Sequence, residues 1–273
     1  MREALGGRLR ELRLNSGLTG TELAHLAGWH QTKVSKIEYG KTKPTDADIR
    51  AWCEHTRHTD QLADLIATVR NIEASYLEWR RVLGTGTKRR QQAQIKFESD
   101  TALMRWYEPV LIPGLLQTAD YAHEILRSVI EFQGIPNDVE QGVATRMQRQ
   151  QILYQRKHRF HFVIGEQALR TTVGDDRIMA GQMDRLLAIQ NMPRVLFGIV
   201  PAETRYQAPI SNFIIFDDRM VMVENLTAEL TITQPREIAT YARAFDILAQ
   251  QSVTGRAARN LITAALERRT DTP

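Results

Sequence analysis

LTGTELAHLAGWHQTKVSKIEYG, Leu18 to Gly40, packs two short helices and a tight turn into one stretch. Thr19 suits a helix N-cap, and Glu22 stands three residues on, the spacing of a capping box. Leu23, Ala24, Leu26 and Ala27 give the first helix an inner face. Gly28-Trp29 makes the turn. A second helix runs from about Gln31 to Tyr39 and stops at Gly40. Val34 and Ile37, three apart, point one way, which leaves Gln31, Thr32, Lys33, Ser35 and Lys36 for the other faces. A helix entering the major groove needs this division: apolar anchors behind, donors and acceptors in the first turn. Gln pairs bidentately with adenine, Thr reaches an acceptor or the thymine methyl, and Lys donates to guanine O6 and N7. Lys41 and Lys43 lie just beyond, placed for phosphates. A solvated surface helix shows the same pattern, so both readings stay open on this stretch alone.

Upstream, residues 2–14 are predicted helical on Leu5, Leu9 and Leu12, with Gly6 and Gly7 weakening the first turn. Asn15-Ser16-Gly17 ends that helix. Downstream, Asp46 to about Thr56 forms a helix with Ile49, Trp52 and Cys53 inward. Asp60 to about Val82 forms another on Leu62, Leu65, Ile66, Val69, Ile72, Leu77 and Trp79. LGTGTKRRQQ, residues 83–92, breaks the pattern and is predicted to be a basic linker. Its Gly-x-Gly is no phosphate loop, because no Gly-Lys-Ser/Thr follows and no strand precedes it.

Beyond the linker, residues 92–108 are predicted helical, and EPVLIPGLLQT forms a proline-bounded apolar loop. Thr118–Ile130 and about Asn137–Tyr154 are helical. Then the period changes. HRFHFVIGE alternates, and VLFGIVP, NFIIFDD, MVMVENL and AELTIT are short β-rich runs, with Asp217-Asp218-Arg219 a hairpin turn. Helices at 176–191, 234–249 and 255–268 complete the chain. The expected fold class is α+β: an N-terminal all-α helix-turn-helix domain over 1–82, the linker over 83–92, and a C-terminal domain over 93–273 with an antiparallel sheet and surrounding helices.

Charge is distributed unevenly. The net charge is +4. Residues 1–43 carry eight Lys/Arg against four Asp/Glu, and residues 79–96 carry six against none. Local basic patches bear on nucleic-acid binding more than the total does. No run approaches the roughly 18 apolar residues of a membrane span. The N-terminus has no apolar core of a secretory signal. The single cysteine, Cys53, fits a reducing compartment, so the expected location is cytoplasmic.

LGGRLRELRLNSGLTGTELAHLAGWHQTKVSKIEYGKTKP resembles the helix-turn-helix of the phage repressor and Cro (XRE) family across roughly residues 5–65. The resemblance rests on Gly17-Leu18-Thr19, Glu22-Leu23-Ala24, Gly28, Val34-Ser35, Ile37-Glu38, Gly40 and Pro44. It implies base contacts from Gln31, Thr32 and Lys33, and phosphate contacts from Lys36, Lys41 and Lys43, with Ser35 beside them. It also implies an internal ion pair between Arg13 and Glu38. Two positions depart from the family pattern. Gly20 replaces a bracing Gln, so its phosphate contact is absent or falls to Thr19 or Thr21. His30 replaces a capping Ser.

EPVLIPGLLQTADYAHEIL, FVIGEQALR, VLFGIVPA and SNFIIFDD with MVMVEN resemble the C-terminal domain of a group of actinobacterial XRE regulators, over about residues 90–268. Those are described as toxin–antitoxin-like regulators paired with a small protein encoded beside them. The resemblance implies a homodimeric regulator that binds an operator in double-stranded DNA and answers to such a partner. The alternative is a regulator whose C-terminal domain senses a small molecule.

Other constellations are bland. Cys53 and His55 point about 200° apart on a helix, too far for one ion, and a structural zinc wants four ligands. His158 and His161 fall on opposite sides of a strand. No catalytic motif is present, so neither an enzyme nor a cofactor or metal site is expected. Pro113-Gly114-Leu115-Leu116 either lids the sheet or lines a pocket, and the lid is favoured.

Overall fold

The computed structural model describes residues 2–71, 76–84, 86–207 and 211–270. The chain divides into two units, Met1–Tyr76 with Thr231–Ala239, and Leu77–Leu230 with Thr240–Pro273.

The first unit is built on helices α1 (Arg2–Asn15), α2 (Gly20–Leu26), α3 (Gln31–Glu38), α4 (Asp46–His55) and α5 (Leu62–Asn71). Leu9, Leu23, Val34, Ile37, Ile49, Trp52, Cys53 and Leu65 form one buried cluster. Each side chain of Leu or Ile size stabilises by about 1.5–3 kcal/mol when fully buried. Trp52 packs against Trp29 at 6.0 Å between ring centroids, and its Nε1 donates to Leu9 O at 3.0 Å. Burial, then the charge of Asp60, pushes the Cys53 thiol up to about 11, which marks it as core. Arg236, in the returning segment, pairs with Asp60 (2.8 Å) and Asp64 (3.2 Å) and fastens that segment to the same unit.

Gly6, expected to weaken α1, has a packing reason. A Cβ there would lie 2.6 Å from Ile37 O and nearer still to Glu38 O, so α1 crosses the end of α3 where only glycine fits.

The second unit contains β1 (Tyr76–Glu78), α6 (Trp79–Val82), α7 (Thr87–Ser99), β2 (Leu103–Glu108), α8 (Ala119–Gln133), α9 (Val139–Arg149), β3 (Arg159–Gly165), α10 (Gln167–Arg170), α11 (Asp176–Ile189), β4 (Val195–Val200), β5 (Phe213–Phe216), β6 (Met220–Glu224), β7 (Ala228–Ile232), α12 (Pro235–Gln251), β8 (Val253–Thr254) and α13 (Gly255–Thr270), with β1, β7 and α12 crossing the division. The strand order is β1-β7-β6-β5-β2-β3-β4-β8. The α+β class holds, and the sheet is mixed rather than antiparallel throughout. β2–β3 and β3–β4 pair in parallel, because helices α8–α9 and α10–α11 carry the chain back across the sheet between them. β5 and β6 pair antiparallel around Asp217-Asp218-Arg219, with Phe216 opposite Met220. Asp217 takes φ +52°, and its Oδ1 accepts from Ala102 N (3.0 Å) and Leu103 N (2.8 Å). Its role is to tie the turn to β2.

Three expectations are corrected. The helix predicted over 60–82 is a 3₁₀ turn at Thr59–Gln61, then α5, β1 and α6, with 72–75 outside the described residues. The helix predicted over 92–108 ends at Ser99, and Leu103–Glu108 is a strand paired on both sides. Local apolar spacing there was overruled by sheet pairing. The basic linker at 83–92 is not one, because α7 begins at Thr87. Thr87 N and Oγ1 and Lys88 N all donate at 2.8 Å to the Asp138 carboxylate, a cap supplied from about fifty residues away. Arg90, within the basic triplet, is bound to Glu224 and Glu229 and offers no free charge to a phosphate. The unit boundary accordingly falls at Tyr76, not at 82. Among the described residues no helix is long and apolar enough to cross a membrane.

Candidate nucleic-acid interface

Helix α3 sits on the first unit through Val34 and Ile37, each about 1% exposed. At 100° per residue the opposite face is centred near Thr32, with Gln31, Ser35, Lys36 and the capping Tyr39 around it, and all five are exposed. Thr19 and Thr21, on α2 and its cap, are exposed too, as are Lys41 and Lys43 beyond α3.

Both ends of α3 are closed. His30 is its N-cap: Nδ1 accepts from Thr32 N at 3.3 Å and lies 2.9 Å from Thr32 Oγ1. With Nδ1 as acceptor, the hydroxyl of Thr32 donates to the ring. Its lone pairs and methyl are therefore what it shows outward. At the other end Gly40 takes φ +67°, and Lys41 N and Thr42 N donate to Lys36 O at 2.8 and 3.1 Å.

The capping box read at Thr19 and Glu22 is formed in both directions: Glu22 N donates to Thr19 Oγ1 (3.2 Å) and Thr19 N to Glu22 Oε2 (2.7 Å). Thr19 Oγ1 is thereby already engaged as an acceptor. At Gly20 a Cβ would lie 3.7 Å from Val34 Cγ1, so α2 and α3 pack closely there.

Arg13 and Glu38 form the pair that the resemblance implied. Arg13 Nε donates to Glu38 Oε1 at 2.6 Å and Nη2 to Oε2 at 3.0 Å, while Nη1 donates to Leu18 O at 2.8 Å. Both side chains are under a tenth exposed. The fork thus ties α1, the α1–α2 turn and α3 together.

Lys33 is placed differently from Gln31 and Thr32. Its Nζ lies 2.5 Å from Asp48 Oδ1 and 4.6 Å from the centre of the Trp29 ring. Burial opposes the charge on Asp48, but the Lys33 ammonium and the Thr45 hydrogen bonds outweigh it and lower the Asp48 pKa. Asp48 was missed in the sequence, although Thr45-x-x-Asp48 is itself a legible capping box. Tyr39, with the guanidinium of Arg10 5.9 Å from its ring centre, was missed as an exposed member of the same face.

Two short helices, one capped and buttressing, the other polar-faced and projecting, define a helix-turn-helix protein. Residues 4–66 match the model of a helix-turn-helix domain, the DNA-binding module of regulators. Residues 91–264 match the family described as Domain of unknown function (DUF5753), and the chain belongs to that family. No curated protein matches. Among solved structures, NucT from Helicobacter pylori is 11% identical, with 62% of this chain and 92% of that chain covered, at a TM-score of 0.34. TrmBL2, an archaeal chromatin protein with a novel mode of DNA binding, is 11% identical, with 87% and 88% covered, at 0.33. At such scores neither likeness carries an argument.

Proposed function

We propose that this protein is a sequence-specific transcriptional regulator of the XRE type that inserts α3 into the major groove of an operator. The observation that carries the reading is the face of α3: Gln31, Thr32, Ser35 and Lys36 exposed together, with Val34 and Ile37 buried behind them. Gln31 and Thr32 read base edges. Thr32, its proton committed to His30, accepts from a base amino group or touches a thymine methyl. Ser35, Lys36, Lys41 and Lys43 hold phosphates, assisted by Thr21 and the Thr19 end of α2. Lys33 must leave Asp48 to reach guanine, so its first role is to brace α3, and base contact is its second.

One such module touches few base pairs, so the working form is a homodimer on a palindrome, with half-sites about 34 Å apart. The input reaches the C-terminal unit as a small partner protein encoded nearby. A small-molecule input is the second reading, favoured by the cavities of that unit. The test is an operator footprint and gel shift with the Gln31→Ala/Thr32→Val variant, repeated with and without the product of the adjacent small reading frame. An unchanged footprint in the variant removes the base-reading assignment. An operator complex indifferent to the partner, with no co-purification, removes the partner.

A further inference from the structure

Two adjoining cavities, of about 120 and about 240 Å³, lie within the second unit. Their walls share Arg90, Gln91, Leu111, Ile125, Arg146 and Glu224. The loop EPVLIPGLLQT divides its residues there: Leu115 and Leu116 are wholly buried in the core, whereas Leu111, Ile112, Gly114 and Gln117 line the smaller cavity.

Three arginines stand in this wall, and two are neutralised. Arg149 binds Glu98 and Gln91, and Arg90 binds Glu229 and Glu224. Arg146 is 9% exposed and has no carboxylate within ion-pair distance among the described residues. Its one hydrogen bond there runs from Nη1 to Gln117 Oε1 at 2.6 Å, and Nε is buried with no acceptor. Burial, then the like charge of Arg149, pulls its pKa down to about 9, so it is still cationic at neutral pH. A buried, unpaired guanidinium is costly to hold unless something completes it.

We propose that the cavity binds a small organic monoanion, a carboxylic acid with an apolar body, whose carboxylate completes Arg146. Of the three, Arg146 alone lacks a carboxylate of its own among the described residues, while Arg90 already faces two, Glu224 and Glu229. The site therefore takes a single further negative charge at Arg146, and a phosphate dianion would add to the surplus around Arg90. The apolar body fits the larger cavity, walled by Leu83, Leu126 and Val129. Glu108 also lines the smaller cavity, with Trp106 Nε1 donating to its Oε1 at 3.1 Å. Burial and the charge of Glu224 raise Glu108 to about 8, so at neutral pH it is mostly protonated and does not repel an anion.

This deepens the small-molecule reading, and its test needs no DNA, so its failure leaves the operator reading untouched. The thermal midpoint of the full chain is measured against phenylacetate and hexanoate at millimolar concentration, with phenylacetamide and inorganic phosphate as controls. Binding is confirmed by calorimetric titration. The carboxylates should raise the midpoint with concentration, and the controls should not. Arg146→Met should lose the response while its own unliganded midpoint holds or rises, which a structural arginine would not allow. Ile125→Trp, which projects a larger side chain from the wall shared by both cavities and spares Arg146, should also lose it and decides the matter if Arg146→Met fails to fold. No response to either carboxylate, an equal response to phosphate, or a response that survives Ile125→Trp overturns the proposal.

Discussion

Arg13 shows at the scale of one residue how a buried charge becomes scaffold. All three of its nitrogens donate, two of them to Glu38, and neither side chain reaches much solvent. Arg13→Ala leaves Glu38 buried without its partner and should cost about 3–5 kcal/mol in urea unfolding. Asp48 makes a prediction in pH. Its folded pKa lies below the ordinary aspartate value of 3.8, so its stabilisation is complete above that value and is lost as pH falls through the lower folded value. Asp48→Asn should therefore flatten the acid limb of the stability profile below pH 3.8, and an unchanged slope there would remove Asp48 from the account. Gln31→Ala should lose about 1–3 kcal/mol of discrimination at one base position, measured by competition between operator variants. The polar face of α3 was legible from local period, whereas the Arg13–Glu38 pair was implied only by the family resemblance. The Lys33–Asp48 contact was not, since it joins two helices whose packing a residue pattern does not specify.

Two glycines in α1 separate local propensity from packing at the scale of the element. Nothing lies within 4 Å of a Cβ at Gly7, whereas one at Gly6 would meet the carbonyls closing α3. Gly7→Ala should stabilise by about 0.5–1 kcal/mol through helix propensity alone. Gly6→Ala should instead destabilise by about 1–3 kcal/mol, because backbone must move to admit the methyl. Equal effects in thermal melts of the two variants would contradict the α1–α3 approach. At α7 the helix start depends on Asp138, so Asp138→Ala should cost about 1 kcal/mol and raise hydrogen exchange in the first turn of α7 first. That element was mistaken for a linker because its cap is remote in sequence and its first residues are Gly, Thr, Lys and Arg.

For the whole molecule, charge is the property that reaches solution behaviour. Lys41 and Lys43 are exposed, while Arg90, in the more basic segment, is matched by Glu224 and Glu229. Lys41→Ala and Lys43→Ala should weaken every duplex alike and each lower the salt slope of binding by about 0.9. Arg90→Ala should leave that slope unchanged, and a shared fall would return the second basic segment to the interface. By itself, the sequence determined the first four helices and the anchored polar face of the N-terminal module, and the five β-rich runs that became β3 to β7 of the C-terminal unit. These rest on short-range periods, caps and turns that a few consecutive residues specify. Only the tertiary structure decided that the sheet is mixed, that a packed helix starts at Thr87, that Lys33 leans on Asp48, and that Arg146 lines a cavity with no carboxylate in ion-pair contact among the described residues. Each of those depends on which distant groups are brought within a few ångströms, and in a folded chain that is set by pairing and packing across long loops rather than by the residues on either side.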